Sequence, residues 1–143
     1  MGEYTLIDTS AWILALRKGA AEEHKAEVDM LISQGQAAIT GLVLTELLSG
    51  AKTQREFREL REGLLSLARF DPTARTWERA VEFAFELRRK GIRVPTADVL
   101  IMTVAWENEC SLLHADRHFE LMVQAGVGLK RRRVRSLLTF LGR

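Results

Sequence analysis

The chain has 143 residues, the size of one ordinary domain, and we expect a single domain over residues 1–143. Hydrophobic residues make up 47% and charged residues 28%, a balance that excludes disorder, collagen and coiled coil, while the net charge of +2 says little about partners. No stretch reaches the roughly 20 apolar residues of a membrane span, and no basic flank marks a secretory signal, so we expect a cytoplasmic protein.

Short apolar runs alternate with helical patterns in the first half of the chain. Thr9 or Ser10 is expected to cap the first helix, because both carry a hydroxyl and follow the first apolar run. The pattern predicts, in order, a strand at 4–7, a helix after it, a surface helix at about 20–33, a strand at 37–40 and a helix that ends at Gly50.

The second half continues in the same way. Charges repeat around Phe57, Leu60 and Leu64, which predicts an amphipathic helix from Thr53. The tryptophans at 12, 77 and 106 fall at helical core spacing. The remaining pattern predicts a strand at 67–70, a helix from about 77 to Gly91, a helix opened by Pro95, a strand at 111–115, a short helix from Phe119, a fifth strand at 127–129 and an apolar end at 137–141.

This alternation predicts an α/β fold. Strands separated by ten or more residues of helical pattern need crossover connections, which make a mainly parallel sheet covered on both faces. We therefore expect a three-layer α/β/α sandwich around four to five strands. In such sheets ligands bind beyond the carboxyl ends of the strands, so the residues that follow strands are the candidates for function.

Four acids stand in otherwise apolar surroundings. Asp8 ends the first strand, Asp116 follows the fourth, Asp98 lies in the first turn of a helix, and Glu46 lies mid-helix among leucines. Carboxylates that converge repel one another until a proton or a divalent cation relieves the repulsion. Oxygen ligands without a cysteine or histidine cluster favour Mg²⁺ or Mn²⁺ over zinc, and such a site can activate water for attack on a phosphodiester.

Each acid also has an ordinary structural interpretation. Asp8 can cap the helix after it, Asp98 can complement a helix dipole, Glu46 can meet an arginine, and Asp116 can begin a turn. These alternatives stay open for any one residue. The constellation favours function, because two acids end strands and two lie in helices that start near the same edge of the sheet.

Four short motifs resemble those of PIN-domain ribonucleases in order and approximate spacing. They are Leu6-Ile7-Asp8-Thr9-Ser10-Ala11, Thr45-Glu46-Leu47, Ala97-Asp98-Val99-Leu100-Ile101 and His114-Ala115-Asp116-Arg117-His118-Phe119. The chain looks most like the VapC toxins of bacterial and archaeal toxin–antitoxin pairs. The resemblance implies that Asp8, Glu46, Asp98 and Asp116 are the metal-binding, catalytic acids of a Mg²⁺- or Mn²⁺-dependent endoribonuclease. It also implies a homodimer and a small VapB-like antitoxin whose tail covers the acidic cleft.

Two positions depart from the family pattern. Many relatives have Thr or Ser where this chain has His114, and a further Asp where it has His118, so a second metal site is not implied. His118 can contact a phosphate or protonate a leaving group, or it can be an ordinary polar surface residue.

Other residues can support the four acids. The Ser10 hydroxyl can contact a metal-bound water or a phosphate, with helix capping as the alternative, and Arg117 can receive a phosphate. The basic run 130–135 can follow an RNA backbone, grip an acidic partner, or form a solvated edge that discourages strand pairing. The helices around 57–64 and 12–16 are candidate interaction surfaces.

Two other functions fit parts of the sequence. A catalytically silent PIN-like module would keep the fold and bind RNA or protein without turnover. A phosphohydrolase of the haloacid dehalogenase kind also starts from an Asp at the end of a strand, but its second Asp would fall at Ser10. The identity of the RNA is not encoded in any motif, because recognition of unpaired bases depends on loops and shape.

Overall fold

The computed structural model describes residues 3–138, and its five strands form one wholly parallel sheet in the spatial order β3-β2-β1-β4-β5. The strands are β1 (Thr5–Ile7), β2 (Ala37–Ile39), β3 (Ala68–Arg69), β4 (Ser111–His114) and β5 (Val134–Ser136). The helices are α1 (Thr9–Leu16), α2 (Glu22–Ser33), α3 (Gly41–Ser49), α4 (Gln54–Leu65), α5 (Ala74–Arg89), α6 (Thr96–Glu107) and α7 (Arg117–Gln124).

The strand order explains the three layers of the sandwich. The chain moves from β1 to β2 and β3 on one side, and then crosses to β4 and β5 on the other. Right-handed crossovers in opposite directions place α1–α4 on one face of the sheet and α5–α7 on the other. The predicted α/β/α sandwich is confirmed. Within residues 3–138, no helix is both long enough and apolar enough to cross a membrane.

The core follows from strands that are covered on both faces. Leu6, Ile7 and the whole of β2 are buried, as apolar runs without alternation predict. On the other face, α6 buries seven consecutive residues from Val99 to Ala105 and is therefore the central helix of its layer. The order of the strands reverses between β1 and β4, and the carboxyl ends of these two strands form the crevice where the site lies.

The fifth strand predicted at 127–129 is wrong. Gly128 has a φ of +91°, in the left-handed region that strands do not use, and it packs directly against Met102. Val127 and Leu129 are buried because they belong to a loop that covers α6, not because they lie in the sheet. The strand β5 instead forms from the end of the basic run.

The basic run is largely neutralised by acids of the same chain. Arg131 donates to Glu120 at 2.6 Å, and two further pairs link Arg133 to Glu3 and Arg135 to Glu27. Residues 131–133 form a short 3₁₀ turn, and 134–136 add the edge strand β5. The ion pairs of the basic run therefore hold the edge strand β5 and the turn before it against the rest of the domain. Of the apolar end predicted at 137–141, positions 139–141 lie outside the described residues.

The tryptophans do not all occupy the core. Trp12 is buried, whereas Trp77 on α5 is 50% exposed and Trp106 at the end of α6 is 38% exposed. The core positions expected for Trp77 and Trp106 are therefore wrong. The helix of Trp77 instead buries the adjacent stripe that contains Ala80, Phe83 and Leu87.

Candidate metal centre

Asp8 directly follows β1 and caps α1. Its Oδ2 accepts hydrogen bonds from the Ser10 backbone N–H at 3.0 Å and from the Ser10 hydroxyl at 2.5 Å. The predicted cap at Thr9 or Ser10 is wrong, because the carboxylate of Asp8 already accepts from the free backbone N–H of Ser10 in the first turn. Burial raises the pKa of Asp8, and the charges of Glu46 and Asp116 raise it further, against the lowering effect of the Ser10 hydrogen bonds.

Ser10 joins the two central strands at their carboxyl ends. Its hydroxyl donates to Asp8 and accepts from the backbone N–H of Ala115 at 2.9 Å. Both hydrogen bonds are part-buried, and they connect the residue after β1 with the loop that carries Asp116. Ser10 is therefore a bridge between two acid-bearing loops.

We expect Ser10→Ala to destabilise the protein by about 1–3 kcal/mol, because it leaves the Ala115 N–H without its acceptor. Urea unfolding in the presence of chelator measures the change. Ser10→Thr keeps the hydroxyl and is the matched control, which should lose clearly less stability. Equal losses in the two variants would mean that packing at this position matters and the hydroxyl bridge does not.

Asp116 follows β4 and caps α7 in the same way that Asp8 caps α1. Its Oδ1 accepts from the His118 backbone N–H at 2.9 Å. Asp98 lies in the first turn of α6, so the amino ends of three helices point their positive dipole ends at the three acids.

His114 lies behind this cap and is fully buried. Its Nδ1 accepts from the Asp116 backbone N–H at 3.1 Å, and its Nε2 lies 3.3 Å from Glu120, the acid that also binds Arg131. Burial lowers the pKa of His114, against the raising effect of Glu120. A neutral ring with its proton on Nε2 satisfies both contacts, so His114 supports the Asp116 loop from inside the core.

Asp98 has the clearest electrostatic signature of the site. Burial raises the pKa of its carboxyl to about 7, with further increases from Asp8, Asp116 and Glu46 and a lowering effect from His118. All four predicted acids therefore lie close enough to affect the ionisation of one group. Such crowding of carboxylates is stable only with bound protons or a bound cation.

Glu46 lies at the exposed rim of the cleft, and the Thr9 hydroxyl donates to its Oε1. The start of its helix is held by two caps. Thr40 accepts from the Val43 N–H, and Asp71 accepts from the Gly41 N–H at 2.6 Å. These contacts place α3 so that Glu46 faces the residue next to Asp8.

His118 brings a nitrogen atom into the acid cluster. Donor atoms of Asp98, Asp116 and His118 all lie within 4.8 Å of one another. The His118 Nδ1 is 2.9 Å from Asp116 Oδ1 and 3.2 Å from Asp98 Oδ2. It is nevertheless a buried atom with no hydrogen-bond partner among residues 3–138, because neither oxygen lies in line with an N–H on this nitrogen.

The predicted residues thus differ in how closely the fold unites them. Donor atoms of Asp98 and Asp116 lie within 4.8 Å of each other, and Asp8 and Glu46 are near enough for their charges to raise the pKa of Asp98. Ser10 links the loops that carry Asp8 and Asp116. Arg117 is exposed on α7 and forms no ion pair within the described part of the chain. Sequence reasoning missed Thr9 as the partner of Glu46 and Glu120 as the partner of His114, because neither contact leaves a signal in local spacing.

The donor set fits a divalent cation. Carboxylate oxygens suit Mg²⁺ and Mn²⁺, and a cation would supply a partner for the buried nitrogen that lies beside two carboxylates without a hydrogen bond to either. Asp98, Asp116 and His118 are the residues whose donor atoms converge. The acidic cluster with its histidine is therefore a candidate metal site.

A surface cavity among the described residues lies away from the four acids. It has a volume of about 1250 Å³ and is lined by Tyr4, Phe70, Trp106 and a mixture of acids and arginines. Trp106 is eight residues beyond Asp98 on α6, roughly 12 Å along the helix axis, and none of the four acids lines the cavity. Its charges are of both signs and select no ligand class, so chemistry and not cavity size identifies the site.

A family model described as the PIN domain matches residues 5–123 of the chain. The chain belongs to the PIN-domain family. No curated protein matches this PIN domain by sequence.

Solved structures of toxin–antitoxin proteins share the fold of this PIN domain. VapBC2 from Rickettsia felis, bound to a DNA fragment from its promoter, is 23% identical with a TM-score of 0.68 and covers 82% of this chain and 91% of its own. DNA-bound VapBC from Salmonella typhimurium is 20% identical with a TM-score of 0.68, and the match covers 94% of this chain and 97% of the Salmonella chain. VapC20 from Mycobacterium tuberculosis, a sarcin–ricin loop cleaving toxin, is 21% identical with a TM-score of 0.61. The match covers 88% of this chain and 97% of the VapC20 chain.

Proposed function

We propose that this PIN domain, extending over residues 1–143, is a VapC-type toxin that cuts RNA as a metal-dependent endoribonuclease in the cytoplasm. The observation that carries the proposal is the convergence of Asp98, Asp116 and the His118 nitrogen within 4.8 Å, at the carboxyl ends of β1 and β4. The similarity to the VapC20 toxin supports RNA as the substrate.

In this proposal Asp8, Glu46, Asp98 and Asp116 hold a Mg²⁺ or Mn²⁺ ion and do not attack the substrate themselves. A bound divalent cation supplies an activated water and positive charge for the phosphate that is cut. Asp8 and Asp116 are held by the helix caps that their carboxylates form, and Ser10 keeps their loops together. Arg117, exposed beside Asp116, contacts the RNA phosphates.

The first test is cleavage of a mixed RNA pool by the antitoxin-free protein with Mg²⁺, with Mn²⁺ and with chelator. Asp116→Asn, purified in the same way, controls for contaminating nuclease, and Glu23→Gln on the exposed face of α2 controls for the loss of any acid. We expect metal-dependent cutting by the wild type and Glu23→Gln only. Metal binding without any cutting over a broad RNA pool would instead favour the catalytically silent module.

The haloacid dehalogenase alternative has no support in the site. Ser10 stands where such an enzyme needs its second acid, and its hydroxyl is already engaged by Asp8 and Ala115. The match to the PIN domain argues for a different fold family.

We infer that the protein has an antitoxin partner of the VapB type, as the similar toxins crystallised in VapBC complexes do. Two exposed apolar side chains, Ile13 and Leu16, lie on α1, the helix that begins at the acid cleft. Phe57 and Leu65 are exposed on α4. A chain that covers these side chains and continues over the cleft would hold the toxin inactive.

We also propose that the protein is a homodimer that joins through α5. Trp77, Val81 and Phe85 are 50%, 66% and 64% exposed and follow one another at every fourth residue, so they form one stripe. A two-fold axis at Val81 would place Trp77 against the partner's Phe85 and bury the stripe of each copy.

We expect Val81→Glu to convert the dimer into a monomer, because it places a charge at the centre of the apolar contact. Sedimentation equilibrium measures the change in mass. Met30→Glu, at an exposed apolar position on α2, is the matched control and should remain dimeric. A dimer that persists in Val81→Glu would exclude α5 as the interface.

A further inference from the structure

We propose that the His118 imidazole is itself a ligand of the divalent cation, and that it makes this site prefer Mn²⁺ over Mg²⁺. The inference rests on the proposed function, which supplies the cation, and it goes further by naming the ion that the site selects. Three atoms carry it, the Nδ1 of His118, the Oδ2 of Asp98 and the Oδ1 of Asp116.

The separations of these atoms are those of ligands around one ion. Adjacent ligands of an octahedral ion with bonds of about 2.1 Å lie roughly 3 Å apart. The His118 nitrogen is 3.2 Å from the Asp98 oxygen and 2.9 Å from the Asp116 oxygen. The ring nitrogen therefore lies at the spacing of an adjacent ligand from each of the two carboxylate oxygens, and all three donor atoms lie within 4.8 Å of one another.

The backbone presents the His118 ring to the cluster. The first turn of α7 begins with the hydrogen bond from the His118 N–H to Asp116 Oδ1, which brings the side chain of His118 to the same side as that carboxylate. The Nδ1 is buried and has no hydrogen-bond partner among the described residues, although two carboxylate oxygens lie close to it. Burying an acceptor or donor without a partner is costly, and coordination removes this cost.

A nitrogen ligand changes which ion binds best. Mg²⁺ prefers an all-oxygen shell and binds carboxylates through strong charge attraction. A neutral imidazole supplies no negative charge, while its affinity for first-row transition metals rises along the series that starts at Mn²⁺. A site that includes His118 beside Asp98 and Asp116 therefore combines oxygen ligands suited to Mg²⁺ with a nitrogen ligand suited to transition metals.

The competing interpretation is that His118 acts as a cation that neutralises Asp98 and Asp116. The two interpretations predict opposite effects of removing the ring. Loss of a ligand weakens metal binding, whereas loss of a competing positive charge strengthens it. The sign of the change in His118→Ala therefore separates them.

The test uses the full chain and Mn²⁺ as the probe, with no RNA present. Electron paramagnetic resonance titration gives the Mn²⁺ affinity, competition gives the Mg²⁺ affinity, and pulsed measurements detect nitrogen coupled to bound Mn²⁺. We expect nitrogen coupling in the wild type and in His24→Gln, a histidine control on α2, and its loss in His118→Ala and His118→Asp. We expect Mn²⁺ binding to weaken about 10- to 100-fold in His118→Ala.

His118→Asp supplies a carboxylate in place of the imidazole and should lower the ratio of Mn²⁺ to Mg²⁺ affinity, while the variant still binds both ions. Bound Mn²⁺ without nitrogen coupling in the wild type, or tighter Mn²⁺ binding in His118→Ala, would overturn the inference and leave the proposed nuclease intact. Failure of the wild type to bind Mn²⁺ any better than Asp98→Asn would overturn both. Circular dichroism in chelator shows whether each variant is folded. If His118→Ala does not fold, the loss of nitrogen coupling is tested in His118→Asp instead.

Discussion

Asp98→Asn should abolish metal-dependent RNA cleavage, by at least about 100-fold, and at the same time stabilise the metal-free protein. Activity is lost because the amide is a poor ligand at the centre of the cluster. Stability is gained because burial and the neighbouring acids raise the pKa of Asp98 to about 7, so that its ionised form is unfavourable at pH 8. Removing the charge should increase the free energy of unfolding by about 1 kcal/mol.

The gain in stability has a definite pH dependence. A carboxyl whose pKa is raised on folding keeps its proton in the folded state between about pH 4 and pH 7, where the unfolded carboxyl is ionised, so the fold loses stability as the pH rises through this range. At pH 5 the unfolded carboxyl is already ionised while the folded Asp98 is still protonated, so only part of this cost is present and Asp98→Asn should give a smaller gain than at pH 8. Urea unfolding in chelator at pH 5 and pH 8 measures both values. An equal gain at both pH values would show that repulsion in the cluster is not its cause.

Metal affinity should rise with pH because Asp98 must lose its proton before it binds a cation. With a pKa of about 7, Asp98 is mostly protonated at pH 6 and mostly ionised at pH 8. We expect Mn²⁺ to bind about tenfold more weakly at pH 6 than at pH 8, with release of a proton on binding at pH 6. Isothermal titration calorimetry in buffers of different ionisation enthalpy measures the affinity and the number of protons released.

The matched variants for this measurement are Asp98→Asn and Glu23→Gln. Asp98→Asn should lose the part of the pH dependence that comes from this carboxyl, along with most of the affinity. Glu23→Gln lies on α2 and should behave as the wild type. An affinity that is flat from pH 6 to pH 8 in the wild type would mean that Asp98 is already ionised before the metal binds.

The positions of the four acids were predictable from the sequence because each one interrupts an apolar run. Asp8 and Asp116 follow strands, and parallel strands with helical crossovers bring their carboxyl ends to one edge of a sheet. The helix-opening position of Asp98 and the mid-helix position of Glu46 were also predicted from the sequence. Four motifs in register indicated the PIN family, and the family match bears out that identification.

The fifth strand was misplaced because its sequence does not look like a strand. Arg135 lies in β5, where a charged residue is tolerated because the strand is at the edge and Glu27 pairs with it. The apolar segment at 127–129 looked like a strand but contains Gly128, whose backbone conformation ends any extended run. The local sequence pattern therefore gave the wrong secondary structure for both segments. Whether each segment joins the sheet depends on contacts with residues distant in sequence, such as Glu27 for Arg135 and Met102 for Gly128.

By itself the sequence determined the α/β class, the order of most elements and the four acids that the fold brings near one another, because hydrophobic period and isolated charges are local properties. Only the tertiary structure decided which side chains meet. Ser10 bonds to Ala115 across more than a hundred residues, and the His118 nitrogen reaches Asp98 on another helix. These contacts depend on strand order and helix placement, which are set by packing of the whole core and have no counterpart in local spacing.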